Sequence, residues 1–392
     1  MQYFKLINSI RQGFVMKSKY KDDKVIIVFI TLCIILSRII MYILFVFCYK
    51  TLNFNSFIQK INIWDAGWYQ NIATNLYFDS ANNPVTGEAS WAFFPLFPVC
   101  VRYVWKITGI DIYYIASFLS TIFLGIAEFV GYKYIILTRK DVKQGLGYIY
   151  FLSFGTYSFY FSIFYTESLY LLLLTSAFYY LKKGEYLKMG VIGALLSMTR
   201  NTGVFFCFVI LAFWLKEYLQ AKERSIAGLI NETIKNYKLL LGTMLVPLGL
   251  FSYMLYLFFK VGDAFAFVHV QRAWGRESLG ILNVLKGALF GEFPLGYFGI
   301  CVCMYIFLLV MLIFKHKHVE EAIFPTITLL VAANSSLGST PRYMAGSFIM
   351  LLAFTDEWKG CSRLNKIVMC IGMFIFELIY IHAWINGSTV LI

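Results

Sequence analysis

Runs of about 20 apolar residues recur along this chain, and each one, wound as an α-helix at 1.5 Å per residue, reaches across the ~30 Å of hydrocarbon in a bilayer. In lipid the backbone must satisfy its own hydrogen bonds. The short alternating segments of a barrel are absent, which leaves helices. Apolar residues make up 60% of the 392 and charged residues 14%, against ~25% charged in a soluble domain. The net charge of +13 would suit nucleic acid, but the basic residues sit in short connections between apolar runs. The positive-inside rule accounts for that placement, so membrane lipids rather than nucleic acid are the expected surroundings. The eight cysteines lie within or beside apolar runs without metal-ligand spacing and read as packing residues. The apolar run 25–49 is too long for a cleaved signal segment, so it reads as an uncleaved first helix.

Charge alternation along the chain gives a topology. Lys5, Arg11, Lys17, Lys19, Lys21 and Lys24 hold the N-terminus in the cytoplasm. The first helix then leads to a long external loop, 50–110, in which Pro95 and Pro98 break any regular transmembrane helix and short helices lie along the interface. Spans 111–137, 145–163 and 168–181 alternate between basic inner turns and a tight outer turn, YTES at 165–168. Residues 189–215 form two short apolar halves around MTRNTG. They read as a hairpin with Arg200 near its outer tip, because a single crossing would put Lys216, Lys222, Arg224, Lys235 and Lys238 outside. A second external loop covers 261–294, the turn SLGSTPRY at 336–343 is external, and the last span is 366–385. The expected fold is an all-α polytopic membrane protein with about eleven membrane segments, forming one membrane domain over residues 1–392.

This topology places Asp65, Glu167, Arg200, Asp263, Arg272, Arg276 and Arg342 at the outer side. Charges near hydrocarbon cost ~2.5–3.5 kcal/mol, so such groups face a cavity or one another. Asp65, in WDAGWY, suits a general base for a hydroxyl, or equally an aspartate capping a loop helix. Trp64, Trp68, Tyr69, Trp91 and Asp263 are candidate sugar or acceptor contacts, with interfacial anchoring as the plainer role of the aromatics. Glu167 can bind a metal with Asp65, steady an acceptor, or pair with Arg200. Arg342, Arg272, Arg276 and Arg200 suit a phosphate, which a guanidinium meets bidentately; headgroup snorkelling is their plainer role. Arg38 and Glu128, both deep in helices, are expected to pair with each other, while Glu377 has no evident partner. The histidines show no ligand spacing; no metal or cofactor is assigned, and a divalent cation is left open.

In order, WDAGWYQNIATNLY, WAFFPLFP, IFYTESLYLLLLTSAFYYL, SMTRNTG, GDAFAFVHVQRAWGR and STPRYMAGSF resemble the GPI mannosyltransferase II (PIG-V-like) family and its bacterial relatives, within the GT-C membrane glycosyltransferases. The resemblance spans roughly residues 25–355. It implies a GT-C-type helical bundle that takes a sugar, usually mannose, from a polyprenyl-phosphate carrier on the outer side and passes it with inversion to an acceptor hydroxyl. The family's acidic residue in the first external loop falls on Asp65 as base, and Glu167 occupies the position of a second acidic residue. The abundance of Ile, Lys, Tyr, Phe and Asn fits a bacterial member in the plasma membrane, where a lipid, a glycan or a protein hydroxyl can each be the acceptor.

The expected function is therefore a membrane glycosyltransferase, with mannose as the expected sugar. A transporter or flippase of lipid-linked sugars, and a non-catalytic subunit of a glycosylation complex, are the competing readings; the first would require a gated midplane site and related halves.

Overall fold

Helices account for nearly all regular structure in the computed structural model, which describes residues 2–220, 236–276, 280–291, 295–334, 337 and 339–391. No strand occurs among them. Five helices are long and apolar enough to cross a membrane, which is the build of an integral membrane protein. They are α1 (Gln2–Tyr49, apolar over Asp23–Tyr49), α5 (Ile112–Thr138), α10 (Tyr237–Val261), α12 (Leu295–Val310, prolonged by a π turn to Lys315) and α16 (Arg363–Ile385). The other expected segments are shorter: α6 (Val142–Phe154), α7 (Glu167–Lys183), α8 (Tyr186–Thr199), α9 (Phe206–Gln220), α13 (Val319–Ala333) and α15 (Phe348–Gly360), while α11 (Ile281–Phe290) is a short apolar helix within the second long loop, where no membrane segment was expected. Lys222, Arg224 and Lys235 of the basic segment, residues 277–279 and 292–294 of the second long loop, and positions 336 and 338 of the SLGSTPRY turn lie outside the described residues.

The first long loop forms short helices as expected: α2 (Phe54–Ile61), α3 (Ala66–Asn75) and α4 (Leu96–Thr108). Pro95 and Pro98 fall at the start of α4, where a missing N–H leaves no intrahelical bond unmade. Asn53 caps α2 by accepting from the Ser56 N–H at 3.1 Å. The last carbonyls of α3 are taken by Arg102 Nη1, which donates to Ala73 and Thr74, so α4 fixes the end of α3.

The two halves of 189–215 run antiparallel. Lys182, at the end of α7, and Lys216, in α9, both donate to Glu320 Oε1, at 3.0 and 2.9 Å, while Arg200, at the break between α8 and α9, meets Glu167 at the start of α7. The chain thus leaves the lysine end through α8, turns at Arg200 and returns through α9. Helix α8 lies against α10 in the same direction: Gly190 faces Gly242, Gly193 faces Val246, and Gly249 faces Ala194. A Cβ on Gly249 would sit 1.8 Å from the Ala194 carbonyl oxygen, so only glycine permits this approach. Ser197 enters the α10 ladder, donating to the Val246 carbonyl at 2.6 Å and accepting from the Leu250 N–H at 3.2 Å. Pro247 has no N–H to offer the Thr243 carbonyl, and the Cys207 thiol approaches that oxygen at 3.8 Å.

The expected span 145–163 is not one helix. Helix α6 ends at Phe154, and a buried irregular stretch with a 3-10 turn at Ser158–Ser162 leads to α7. Irregular backbone at this depth needs partners from the protein, and four elements supply them. Glu377 of α16 accepts from the Ser158 N–H at 3.0 Å and its hydroxyl at 2.8 Å. Arg38 of α1 donates to the Phe161 carbonyl at 3.2 Å, Ser120 of α5 donates to Ile163 at 2.8 Å, and Asn62, just after α2, accepts from the Phe164 N–H. The expected Arg38–Glu128 pair is therefore corrected: no ion pair joins them, and Glu128 accepts instead from the Ser153 hydroxyl at 2.7 Å. Glu377 finds its role in the same stretch.

At the lysine end a second network closes the bundle. Arg139 donates to both oxygens of Glu321 and meets Asp356 at 3.1 Å, with all three side chains almost wholly buried. Gln144 donates to the same Asp356 at 2.8 Å, so α5, α6, α13 and α15 are tied at one level. All eight cysteines are free.

Candidate functional site

Asp65 stands where α2 hands over to α3. Trp64, immediately before it, adopts a left-handed backbone at φ 56°, a conformation costly for a bulky residue and stable only when its surroundings enforce it. The Tyr165 hydroxyl helps, accepting from the Asp65 N–H at 3.1 Å and donating to the Ile63 carbonyl at 3.3 Å. Asp65 occupies the N-cap position of α3, yet its side chain caps nothing. It is turned instead toward Arg342.

Four charged residues form a chain at this end. Arg342, in the short helix α14 (Thr340–Ala345), donates through Nη1 to Asp65 Oδ2 at 2.8 Å and through Nε to Glu167 Oε1 at 2.9 Å. Arg200 donates through Nη2 to the same Glu167 oxygen and through Nε to the Thr166 hydroxyl at 2.8 Å. The faces of both guanidinium groups lie on tyrosine rings, Arg342 at 4.6 Å from Tyr165 and Arg200 at 5.2 Å from Tyr170, contacts that stabilise a desolvated cation. Glu167 is fully buried, Arg342 and Arg200 nearly so, and Asp65 is the most open of the four, with 23% of its side chain exposed. Among the described residues, none donates to Asp65 Oδ1 and none to the buried Glu167 Oε2. Two carboxylates and two guanidinium groups balance, as buried charge requires.

The four come from loop 50–110, the start of α7, the α8–α9 turn and the STPRY helix. Arg342 lies between the two carboxylates, so positive charge already bridges Asp65 and Glu167. Among the described residues no three His, Cys, Asp or Glu side chains gather as a metal-ligand set.

The other candidates separate into two groups. Trp68, one turn beyond Asp65, stacks on Phe93 at 5.6 Å and meets Trp274 edge-on at 5.6 Å. This brings the QRAWGR turn of the second long loop beside α3. Arg272 and Arg276 in that turn are exposed and make no ion pair with a described residue; among the described residues the Arg276 side chain donates to Gln271, at 3.3 Å. Trp64 is exposed at the edge of the site. Tyr69, by contrast, is buried among Phe93, Phe164 and Tyr165. Trp91 is tied by its indole N–H to the Phe78 carbonyl at 2.9 Å. Asp263 pairs within its own loop, with His269 at 2.7 Å, whose hydrogen bond holds the Asp263 carboxyl below the usual carboxylate range. Three groups of the site were not singled out from sequence: Tyr165, Thr166 and Tyr170. Two of them belong to YTES itself, flanking Glu167.

No protein-family model and no curated protein matches the chain. Among solved structures it is similar to the archaeal oligosaccharyltransferase AglB from Archaeoglobus fulgidus in complex with an inhibitory peptide and a dolichol-phosphate, at 12% identity and TM-score 0.43 over 83% of this chain and 51% of that one. It is also similar to the apo form of the oligosaccharyltransferase from the same organism, at 13% identity and TM-score 0.44 over 83% and 51%. The chain thus spans about half the length of these structures.

Proposed function

We propose that this protein is a GT-C-type membrane glycosyltransferase that moves a sugar from a polyprenyl-phosphate carrier to an acceptor hydroxyl, with mannose the first sugar to test. The observation that carries the proposal is the turning of Asp65 away from its helix cap and onto Arg342, with one carboxylate oxygen left open to an incoming group. In the reaction the acceptor oxygen forms a bond to the anomeric carbon as the bond from that carbon to the phosphate oxygen breaks. The acceptor proton passes to Asp65, the polyprenyl phosphate departs with the bonding pair, and the anomeric centre inverts. A positioned carboxylate contributes ~10²–10⁴-fold in such a step.

We divide the arginines by the partners they already have. Arg342 and Arg200 are engaged with carboxylates, so their part is to orient Asp65 and to neutralise Glu167. Arg272 and Arg276, exposed beside the Trp68–Trp274 contact, are the cations available to the carrier phosphate, where compensation of the leaving-group charge is needed. Trp64, exposed at the edge of the site, is assigned as an acceptor contact in this reading.

The test is transfer from radiolabelled polyprenyl-phosphate-mannose in membranes containing wild type or Asp65→Asn, with insertion verified in both. Labelled product from wild type, reduced at least ~10²-fold in the variant, supports the proposal. Labelled lipid that crosses the bilayer unchanged would replace it with a lipid-linked-sugar transporter. Activity appearing only on addition of a second chain would make this protein a subunit.

A further inference from the structure

A groove of about 580 Å³ opens at the lysine end, far from Asp65, along the seam between α6 and α16. Lys143, Arg363 and Lys366 stand at its mouth, and Leu146, Gly147, Tyr150, Trp358 and Cys370 line it further in. The two helices run side by side in the same direction, Lys143 to Tyr150 against Arg363 to Cys370, and the seam closes where the Tyr150 hydroxyl donates to the Cys370 carbonyl at 3.1 Å. Seven residues of helix give a depth of ~10 Å. The groove therefore changes over one phosphate-to-acyl distance from three cations to an apolar, aromatic floor.

No carboxylate lines it. The acids nearest in sequence are already engaged: Asp356 holds Arg139, Gln144 and Lys359, and Glu357 holds Lys315 and His316. Asp141 caps α6 by accepting from the Gln144 N–H at 3.0 Å. Lys143, Arg363 and Lys366 make no ion pair with a described residue; Lys366 lies over the Trp358 ring at 5.2 Å. Gly147 is what admits the Trp358 ring, since a Cβ there would sit 2.6 Å from it. Three uncompensated cations above an apolar floor, at the end of the helices where basic residues gather, match the order of groups in an anionic lipid.

We propose that this groove binds an anionic phospholipid, its phosphate held by Lys143, Arg363 and Lys366 and the upper part of an acyl chain laid along Leu146, Tyr150 and Cys370. A guanidinium and two ammonium groups meeting one phosphodiester form charge-assisted hydrogen bonds.

The experiment titrates the purified full chain, in phosphatidylcholine nanodiscs, with phosphatidylglycerol and reads bound lipid by native mass spectrometry. The expected result is saturable phosphatidylglycerol binding that weakens at least about tenfold in Lys143→Gln/Arg363→Gln/Lys366→Gln. In Leu146→Trp, which fills the floor without altering charge, phosphatidylglycerol binding also weakens while protection of the melting temperature by glycerol phosphate is unchanged. Wild-type affinity in the triple variant overturns the site. Glycerol phosphate that competes as well as phosphatidylglycerol, together with an indifferent Leu146→Trp, overturns the lipid in favour of a free phosphate.

Discussion

Glu167 is fully buried between two guanidinium groups, whereas Asp65 shares one of them and keeps an open oxygen. Removing the two carboxylates should therefore have opposite signatures. Glu167→Ala leaves Arg342 and Arg200 without their common partner, and breaking a buried pair in this way costs ~3–5 kcal/mol; a large fall in the melting temperature of the detergent-solubilised protein is the expected outcome. Asp65→Asn leaves Arg342 held by Glu167, so its melting temperature should stay close to wild type, within ~1 kcal/mol, while transfer is lost. Equal melting losses in the two variants would show that Asp65 is structural. That both acids share one end of the bundle was legible in the sequence, because basic turns mark the opposite end of each run. Their connection through Arg342 was not, since it joins positions 277 residues apart and hydropathy carries no information on the rotation of one helix about its axis. The same limit explains Arg38, whose depth was readable but whose partner, a carbonyl of broken backbone, was not.

Among the elements, the α8–α10 seam is the least forgiving. Gly249→Ala places a methyl 1.8 Å from the Ala194 carbonyl oxygen, which is backbone and cannot swing aside, and 2.5 Å from the Ser197 hydroxyl that is bonded into α10. Overpacking typically costs ~1–3 kcal/mol, and here the upper end is expected, measured as a shift in thermal unfolding followed by tryptophan fluorescence. At the other end of the hairpin, Glu320 precedes the apolar run of α13. Burial alone would raise its carboxyl, but hydrogen bonds from Lys216 and Lys182 hold it at about 2. A folded value below the unfolded one contributes stability above ~4.3 that is lost as pH falls toward the folded value. Wild type should lose melting temperature between pH ~4.5 and ~2, by ~1–3 kcal/mol after screening through the partly exposed Lys216, and Glu320→Gln should lose less in that window. The hairpin itself was readable from charge alternation. The break after Phe154 was not, because the residues that follow are as apolar as a helix would be, and the partners that satisfy the freed backbone come from α1, α2, α5 and α16.

For the whole molecule, the two ends differ in kind: an acidic and aromatic end carrying Asp65, and a lysine-rich end closed by Arg139, Glu321 and Asp356. The orientation expected from the positive-inside rule is checked with single cysteines added at Val85, in the first long loop, and at Lys359. Val85 is 93% exposed. A membrane-impermeant maleimide should label the Val85→Cys protein in intact cells above the wild-type background, and the Lys359→Cys protein only after permeabilisation; the reverse pattern would invert the topology. One consequence of the α8–α9 hairpin concerns how the molecule is made. Fourteen residues of α8 extend only ~21 Å, short of the ~30 Å that a segment needs to partition into lipid alone. Neither arm is then a convincing stop for the insertion machinery, and α8 reaches its depth only by lying in the glycine groove of α10, which is synthesised later. Arg200 accordingly waits for α10, and Glu167 waits for Arg200. A ribosome stalled before α10 should leave a chain whose first spans are threaded while Glu167 and Asp65 both lie without Arg342, so a half-built copy differs from a finished one by uncompensated acids at one end of the bundle.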